Sequence, residues 1–456
     1  MQDTIAAIST PLGSGGVGMV RLSGPAAREI AARIFRSRRG DILSAAGYTA
    51  LYGRAFTPGE QPEEIDEAVA LVFAAPASYT GEDVVELSVH GGVYLVRKLL
   101  RAALSAGARL AQPGEFTRRA FENGKLDLTQ AESVMQLIGA KGEDALRAAL
   151  SGRRGAVSRR VGEIKEKLLA VAAAMAAWAD YPDEDIPALE TQTLQKELAD
   201  ILADIKSLLA TYDGGRALRE GVETVIAGRP NVGKSTLMNL LAGCQRSIVT
   251  PQAGTTRDVV EEDVLLGDVR LRLADTAGLR QTADAIEAMG VDIARERLAS
   301  AGLILAVFDA SLPLEDEDRK LLALLSGRPA VAVVNKTDLP VRLDLAELER
   351  TGCPVVQIAA GAGRGMEELR QAVEQVAGIA GLDPAAGILA SERQRDCLAA
   401  AGESVREALD ALEMGTTLDA VGVCLDDALH ALLSLTGERV TNAVTDEVFK
   451  RFCVGK

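Results

Sequence analysis

The sequence predicts a multidomain protein: an N-terminal α+β module, an all-α bundle assembled from two separated segments, and an α/β module inserted between those segments. Three observations predict it. A chain of 456 residues has room for several domains of roughly 100–200 residues. Its texture changes near Phe121, at Gly214-Gly215 and near Ala380. Between the last two points short apolar strands alternate with helical patterns, which is how a mainly parallel sheet reads. The predicted division is 1–121, a helical domain of 122–215 plus 380–456, and an insert of 216–379.

In the first region Thr4–Ile8, Gly18–Leu22, Ala68–Phe73 and Val84–Val89 are expected strands, and Gly92–Ser105 an intervening helix. From Leu126 to Ala210, Ala, Leu, Glu, Lys and Arg recur at helical spacing, broken at Tyr181-Pro182-Asp183, as in a bundle. In the insert the expected strands are Val222–Ala227, Val259–Leu265, Val269–Ala274, Leu303–Asp309, Ala330–Asn335 and Val355–Ala359. Gly267-Asp268 reads as a hairpin turn giving one antiparallel edge. Helices return at Ser391–Leu412, Leu418–Leu435 and Asp446–Arg451. Each helical segment alone would leave an apolar stripe uncovered, so the two are expected to pack on each other.

Hydrophobic residues make up 48% and charged residues 25%, which excludes disordered, collagenous and secreted mini-protein classes. With 3% aromatics and a single Trp178, the core must be aliphatic. The 50 Lys+Arg against 65 Asp+Glu leave a net charge of −15. A general nucleic-acid binder, which needs clustered cations, is therefore not expected, although local basic patches stay open. The 5 cysteines are scattered without CxxC and the 2 histidines are His90 and His430, so neither a zinc site nor a disulfide framework is expected. Reduced thiols suit a cytoplasmic location. No signal peptide is read at the start. The longest apolar run, Leu168–Ala179, is too short to cross a bilayer and reads as a buried helix, so no membrane association is expected.

The most specific signal is Gly228-Arg-Pro-Asn-Val-Gly-Lys-Ser235, a G-x-x-x-x-G-K-[ST] loop between an expected strand and an expected helix. Its glycines let backbone N–H groups curl around phosphate, and the helix N-terminus adds positive potential. Lys234 is placed for the β- and γ-phosphates and Ser235 for Mg²⁺. Asp275-Thr276-Ala277-Gly278 follows the next apolar strand; its carboxylate suits the magnesium shell and the Gly278 N–H can sense the γ-phosphate. Asn335-Lys336-Thr337-Asp338 ends a later strand. The Asp338 carboxylate can accept from two donors on the guanine edge that adenine lacks, which favours GTP over ATP. Leu279 stands where Ras-type proteins carry a water-orienting Gln, so another residue must orient water. Thr255-Thr256 lies between the loop helix and the next strand, with Thr256 suited to cover the γ-phosphate and complete the Mg²⁺ shell.

Other features are less specific. Gly13-Ser-Gly15-Gly-Val-Gly18 matches G-x-G-x-x-G but precedes another strand rather than a helix, so a tight turn is expected. His90, in Val-His-Gly-Gly92, reads as a turn imidazole. Arg153, Arg154, Arg159, Arg160, Lys165 and Lys167 are either a solvated helix face or an RNA-backbone patch. In Phe452-Cys-Val-Gly-Lys456, Cys453 reads as a small buried hydrophobe, with a reactive catalytic thiol as the alternative.

The loop motifs, Ala253-Gly-Thr-Thr-Arg-Asp258, Tyr79-Thr-Gly-Glu-Asp83, His90-Gly-Gly92, Pro113-Gly-Glu-Phe-Thr117, Lys125-Leu-Asp-Leu128 and the Phe-Cys-Val-Gly-Lys segment together resemble the MnmE/TrmE family of tRNA-modification GTPases over essentially the whole chain. The resemblance implies an N-terminal folate-binding and dimerisation domain, a discontinuous helical domain and an inserted Ras-like P-loop G domain. It implies work with an FAD-dependent MnmG partner at C5 of the wobble uridine of certain tRNAs, in a heterotetramer around a homodimer. The group added would be aminomethyl or carboxymethylaminomethyl. The one-carbon source would be 5-formyltetrahydrofolate or another tetrahydrofolate derivative, held by Arg21, Glu86, Lys125 and Lys456.

The GTP contacts implied are Asn231, Val232, Gly233, Lys234, Ser235, Thr236, Thr250, Thr255, Thr256, Asp275, Thr276, Ala277, Gly278, Asn335, Lys336 and Asp338. Hydrolysis in the family is activated by K⁺-dependent pairing of G domains, and the matching K⁺ ligands are Asn231, Thr250, Gln252 and Thr255. The cation would neutralise charge between β- and γ-phosphate. The family's water-orienting glutamate falls on Glu287. Three departures stand out: Ala359-Ala360 where the fifth guanine motif usually reads Ser-Ala, Gln252 at a variable position, and Val454 for Ile. A ribosome-assembly GTPase and a non-catalytic nucleotide-binding scaffold are the competing readings. The former has no reason to keep Lys456; the intact Lys234, Ser235, Thr256 and Asp275 oppose the latter.

Overall fold

The computed structural model describes residues 3–180, 191–243, 262–273 and 301–456. The chain divides into two units, Met1–Met135 with Leu433–Lys456, and Gln136–Leu432.

The first unit is built on seven strands: β1 (Ile5–Ile8), β2 (Gly15–Ser23), β3 (Phe35–Ser37), β4 (Thr49–Phe56), β5 (Glu64–Phe73), β6 (Val84–Gly91) and β7 (Arg109–Leu110). Their order is β3-β4-β5-β6-β2-β1-β7, antiparallel throughout except for β1 with β7. Period-two alternation in β4 turns Leu51, Gly53 and Ala55 inward and Tyr52 and Arg54 outward. Helices α1 (Ala27–Ile34) and α2 (Val93–Ser105) close the inward face; Ile30, Ile34, Val96 and Leu99 join Leu22, Val72, Val85 and Leu87 in one core. Beyond the sheet come α3 (Glu115–Glu122) and α4 (Leu128–Gly139).

The segment that returns to this unit, with the helix Asn442–Lys450, inserts Phe449 and Phe452 beside Leu128, Ala131 and Val134. The two rings lie 5.2 Å apart. Gly114 has φ +68°, and a Cβ there would press on Phe452 at 2.8 Å, so this approach requires glycine.

Two expectations fail here. Gly15–Gly18 is not a turn but the opening of β2, with a bulge against β6 between Gly15 and Gly18; a side chain on Gly91 would collide with the Gly15 carbonyl. His90 lies in β6, not in a turn. Its backbone N–H donates to Asp66 Oδ2 at 2.9 Å, and its Nδ1 lies 2.9 Å from the same oxygen.

The second unit opens with α5 (Glu143–Arg153), α6 (Ala156–Asp180), α7 (Thr191–Leu209) and α8 (Tyr212–Glu220). Leu194, Leu198, Ile201, Ile205 and Leu208 form the buried stripe of α7, each worth about 1.5–3 kcal/mol when fully buried. That stripe meets α13 (Glu392–Glu413), where Gly402 lets Ile205 approach: a Cβ would lie 3.0 Å from its Cγ2. The two helical segments thus pack on each other across the insert. Helix α14 (Leu418–Thr436) follows. The apolar run expected to be a buried helix is amphipathic instead: in α6 Leu168, Val171 and Met175 are buried, while Leu169 is 47% exposed. Among the basic residues, Arg160 donates to the Gly387 carbonyl at 3.1 Å and Lys167 pairs with Asp204 at 2.7 Å.

The insert is a six-stranded sheet ordered β13-β12-β11-β8-β10-β9, from β8 (Val222–Ala227), β9 (Glu262–Leu266), β10 (Val269–Leu273), β11 (Leu303–Asp309), β12 (Ala330–Asn335) and β13 (Val355–Gln357). Among the described strands only β9 runs antiparallel, joined to β10 at Gly267-Asp268 with Leu266 opposite Val269. Helices α9 (Lys234–Gly243), α10 (Asp316–Leu325), α11 (Leu345–Glu349) and α12 (Met366–Val376) accompany the strands. Among the described residues no helix is long and apolar enough to cross a membrane.

Candidate functional site

Residues 228–233 join β8 to α9, whose first residues complete the motif. Three of the joining residues have positive φ: Gly228 at +147°, Asn231 at +64° and Gly233 at +102°. That sequence of dihedrals makes a concave loop whose N–H groups can gather an anion. A Cβ on Gly228 would collide with the Val307 carbonyl, and one on Gly233 with the Asn335 amide. Lys234 Nζ donates to the carbonyls of Gly228 at 2.7 Å and Arg229 at 2.6 Å. Burial pushes this ammonium below its ordinary pKa, since low dielectric disfavours the unshared charge. Ser235 and Thr236 are exposed in the first turn of α9, at the positive end of its dipole.

The end of β12 locks this loop from the side. Asn335 is 2% exposed; its amide donates to the Val232 carbonyl at 3.0 Å, and its oxygen accepts the Ala360 N–H at 3.0 Å. Lys336, also left-handed at φ +64°, donates through Nζ to the Asn231 carbonyl at 2.8 Å and to Asp309 Oδ2 at 2.6 Å. Thr337 Oγ1 donates to the Ile358 carbonyl at 3.0 Å, and Asp338 is exposed. Asn231 to Thr236, Asn335, Lys336 and Ala359-Ala360 therefore converge at the C-terminal edge of the parallel strands, where open α/β sheets hold ligands. Replacement of the usual Ser by Ala359 leaves the Ala360 backbone contact in place.

Thr250, Gln252, Thr255, Thr256, Asp275, Thr276, Ala277, Gly278 and Glu287 lie outside the described residues. The donor set that is described fits a polyphosphate: a glycine-lined concavity, a desolvated lysine and a helix N-terminus. Ser235 would offer a hydroxyl to Mg²⁺ and Asn231 a side-chain carbonyl to K⁺.

Two anchors escaped the sequence reading. Asp309 concludes the otherwise apolar β11, and a charge ending a fully buried strand beside the loop was the available signal. Arg229, inside the motif, pairs with Glu315 at 2.5 Å and with buried Asp318 at 2.8 Å. No spacing rule connects it to α10.

The first unit holds a second cluster, on the outward face of its sheet. Arg21 in β2 sits directly across from Glu86 in β6, with Nε 2.8 Å from Oε1; the two side chains are 15% and 13% exposed. The guanidinium lies 5.5 Å from the Phe116 ring centre and 5.8 Å from that of Tyr79, and Tyr79 Oη is 2.9 Å from Thr117 Oγ1. Arg21 Nη1 and Ser9 Oγ both point to the Gly455 carbonyl, at 3.5 and 3.2 Å. The Lys456 carbonyl accepts the Phe116 N–H at 3.2 Å. Arg21, Glu86 and Lys456 are thus assembled from distant sequence.

Lys125 is exposed and donates to the Pro76 carbonyl at 3.1 Å, on the loop that leads to Tyr79. An acid–base pair flanked by two rings is a donor set that suits a flat heterocycle with an anionic tail. Cys453 was expected to be buried; it is exposed, because Phe449 and Phe452 fill the apolar space and turn the thiol outward.

Comparison with known proteins bears on both clusters. A family model described as "GTP-binding protein TrmE N-terminus" matches residues 4–125, and one described as "MnmE helical domain" matches 128–453. The chain is 45% identical over 459 residues to the tRNA modification GTPase MnmE of Symbiobacterium thermophilum, covering 100% of both. It is 45% identical over 464 residues to that of Heliobacterium modesticaldum, covering 100% of this chain and 99% of the relative. With that of Geobacter metallireducens the identity is 42% over 461 residues, again across 100% of both. Matches of this length span the segments that carry both clusters, and the chain belongs to the MnmE (TrmE) family of tRNA modification GTPases.

Proposed function

We propose that this protein is a K⁺-activated GTPase that, as a homodimer joined to an FAD-dependent MnmG-type partner, modifies C5 of the wobble uridine of certain tRNAs. The group added is aminomethyl or carboxymethylaminomethyl, and its one-carbon unit comes from 5-formyltetrahydrofolate or a related tetrahydrofolate. The observation that supports the nucleotide half is the lock of Asn335 onto Val232 and Ala360, which ties the loop of residues 231–235 to the loops that begin at Asn335 and Ala359. Lys234 would neutralise phosphate oxygens, Ser235 and Thr256 would hold Mg²⁺, and Asp338 would accept from guanine. Asn231, with Thr250, Gln252 and Thr255, would hold K⁺, which supplies positive charge at the leaving phosphate. Glu287 would orient the water.

The folate half is supported by Arg21 and Glu86, with Lys125 and Lys456 as cations for a glutamate tail. The exposed Cys453 thiol is retained as a candidate catalytic group. We keep the partition 1–121, 122–215 with 380–456, and 216–379 as the functional division, and a cytoplasmic setting as its place of work.

The test is reconstitution. Chain, MnmG-type partner, tetrahydrofolate derivative, GTP and unmodified tRNA are mixed, and the wobble nucleoside is read by mass spectrometry. A mass increase on uridine that needs GTP and folate is expected. An unmodified base would favour the ribosome-assembly reading.

A further inference from the structure

We infer that Asp309 is a positioning residue for the phosphate loop, holding Asn231 in its left-handed conformation through Lys336. The inference deepens the nucleotide reading above and rests on it.

The chain of contacts is short and complete. Asp309 is 4% exposed at the end of β11. Its Oδ1 accepts the N–H and hydroxyl of Ser311 at 2.9 and 2.7 Å, and its Oδ2 accepts Lys336 Nζ at 2.6 Å. The same ammonium reaches the Asn231 carbonyl at 2.8 Å. Burial pushes the Asp309 carboxyl up, but the bonds from Lys336 and Ser311 prevail and keep it below its ordinary value, so the anchor is charged near neutrality.

Asn231 needs such an anchor. Its φ of +64° crowds a Cβ against the neighbouring carbonyl, a conformation asparagine visits more readily than most residues but only glycine adopts at no cost. Its neighbour Val232 is tethered independently through Asn335. Consecutive residues at the end of β12 therefore grip consecutive carbonyls of the loop, and only the Asn231 grip depends on a carboxylate from another strand. Without Asp309 the Lys336 ammonium would lose its fixed counter-charge and Asn231 could relax to an ordinary backbone. Its side chain would turn with it, although no contact with a ligand had been removed.

A cycle of variants in the full chain tests this, read as the dissociation constant of a fluorescent GDP analogue with Mg²⁺ present and checked by melting curves. Asp309→Ala should weaken GDP about tenfold, as expected for losing a charged, buried hydrogen-bond partner. Asn231→Gly accepts positive φ unaided, so adding Asp309→Ala to it should change affinity by less than about twofold. Independent tenfold losses in the double variant would overturn the inference, as would wild-type affinity in Asp309→Ala alone. Should Asp309→Ala fail to fold, Asp309→Asn carries the same cycle. It is expected to lose about threefold alone and nothing further on Asn231→Gly, with wild-type affinity or independent losses counting against the inference. Hydrogen exchange over 229–234 gives a second reading: faster than wild type in Asp309→Ala, and equal rates in the two would contradict the anchor. A wild-type chain that binds no GDP overturns the nucleotide reading itself, whereas binding without coupling overturns only the role of Asp309.

Discussion

The side-chain amide of Asn335 donates to the backbone carbonyl of Val232 across 3.0 Å, although 103 residues separate them in sequence. Its oxygen is meanwhile held by Ala360, so Asn335 is a two-sided peg between loops. Asn335→Ala removes both bonds from a buried position and leaves a carbonyl and an N–H unpaired, at about 1–3 kcal/mol each. GDP affinity measured by calorimetry should fall about 10- to 100-fold. A loss below twofold would mean that the phosphate loop keeps its shape unaided.

The Arg21–Glu86 pair makes a parallel prediction in the other unit. Arg21→Ala removes a guanidinium that faces two rings and the Gly455 carbonyl, and it leaves Glu86 without its partner. Binding of 5-formyltetrahydrofolate, followed by calorimetry, should weaken at least about tenfold. Arg21→Lys should recover only part of that, because an ammonium cannot serve the same contacts with its fork. Unchanged binding in Arg21→Ala would move the folate site elsewhere.

Three strands of the insert, Val222–Ala227, Leu303–Asp309 and Ala330–Asn335, were readable to the residue, whereas the last strand stops at Gln357 rather than Ala359, and the reason is physical. Strands such as Leu303–Asp309 and Ala330–Asn335 are buried on both faces, so they appear as unbroken apolar runs with sharp ends. In the first unit β4 was missed because one face meets solvent, and its inward row of Leu51, Gly53 and Ala55 offers little apolar bulk to signal a strand. The nucleotide site could be recognised because local backbone geometry dictates its motif. Asp309, Arg229 and the Tyr79–Phe116 flank of Arg21 could not, since each acts through partners that only tertiary folding brings near. The outward turn of Cys453 also depends on where Phe449 and Phe452 find their cavity.

Turnover should reveal the cation. GTP hydrolysis is expected to be at least about tenfold faster in KCl than in NaCl, given what one positive charge at the leaving phosphate is worth. Asn231→Ala should flatten the difference. Glu287→Ala should keep GTP affinity while lowering turnover. Equal rates in the two salts would remove K⁺ from the mechanism.

Asp3 predicts a pH dependence. The hydrogen bond from Arg109 comes first among the causes, joined by Arg119, and together they overcome burial and hold the carboxyl at about 2, below its ordinary 3.8. A carboxyl lowered by folding stabilises the protein above its unfolded pKa and loses that effect as pH falls through the folded value. Asp3 is half-exposed, so after screening its contribution at neutral pH is about 1 kcal/mol. Asp3→Asn should lower the melting temperature by about 2–4 °C at pH 7, and the gap to wild type should close between pH 4 and pH 2, near the two pKa values. A gap that stays constant over that range would assign the effect to packing.

The β9–β10 hairpin offers the last prediction. Lys141 Nζ pairs with Asp263 at 2.8 Å, Arg270 pairs with the same carboxylate at 2.5 Å, and Asp268 Oδ1 accepts the Glu143 N–H at the start of α5 at 3.2 Å. Ala145 of α5 lies in one core with Val264, Leu266 and Val269, so hairpin and helix are packed together. In sequence β9 follows the segment carrying Thr255-Thr256, and β10 precedes Asp275–Gly278. Any shift of those segments with nucleotide state therefore pulls on a hairpin whose tip is fastened to the helical segment. Removing the fastening by Lys141→Ala with Asp268→Ala costs about 1 kcal/mol for the lost cap and touches no proposed nucleotide contact. Basal GTP turnover should stay within about twofold of wild type. The yield of modified uridine per GTP hydrolysed, with the MnmG-type partner present, should fall several-fold, the size of an ordinary coupling free energy. If yield and turnover keep their wild-type ratio, the hairpin transmits nothing.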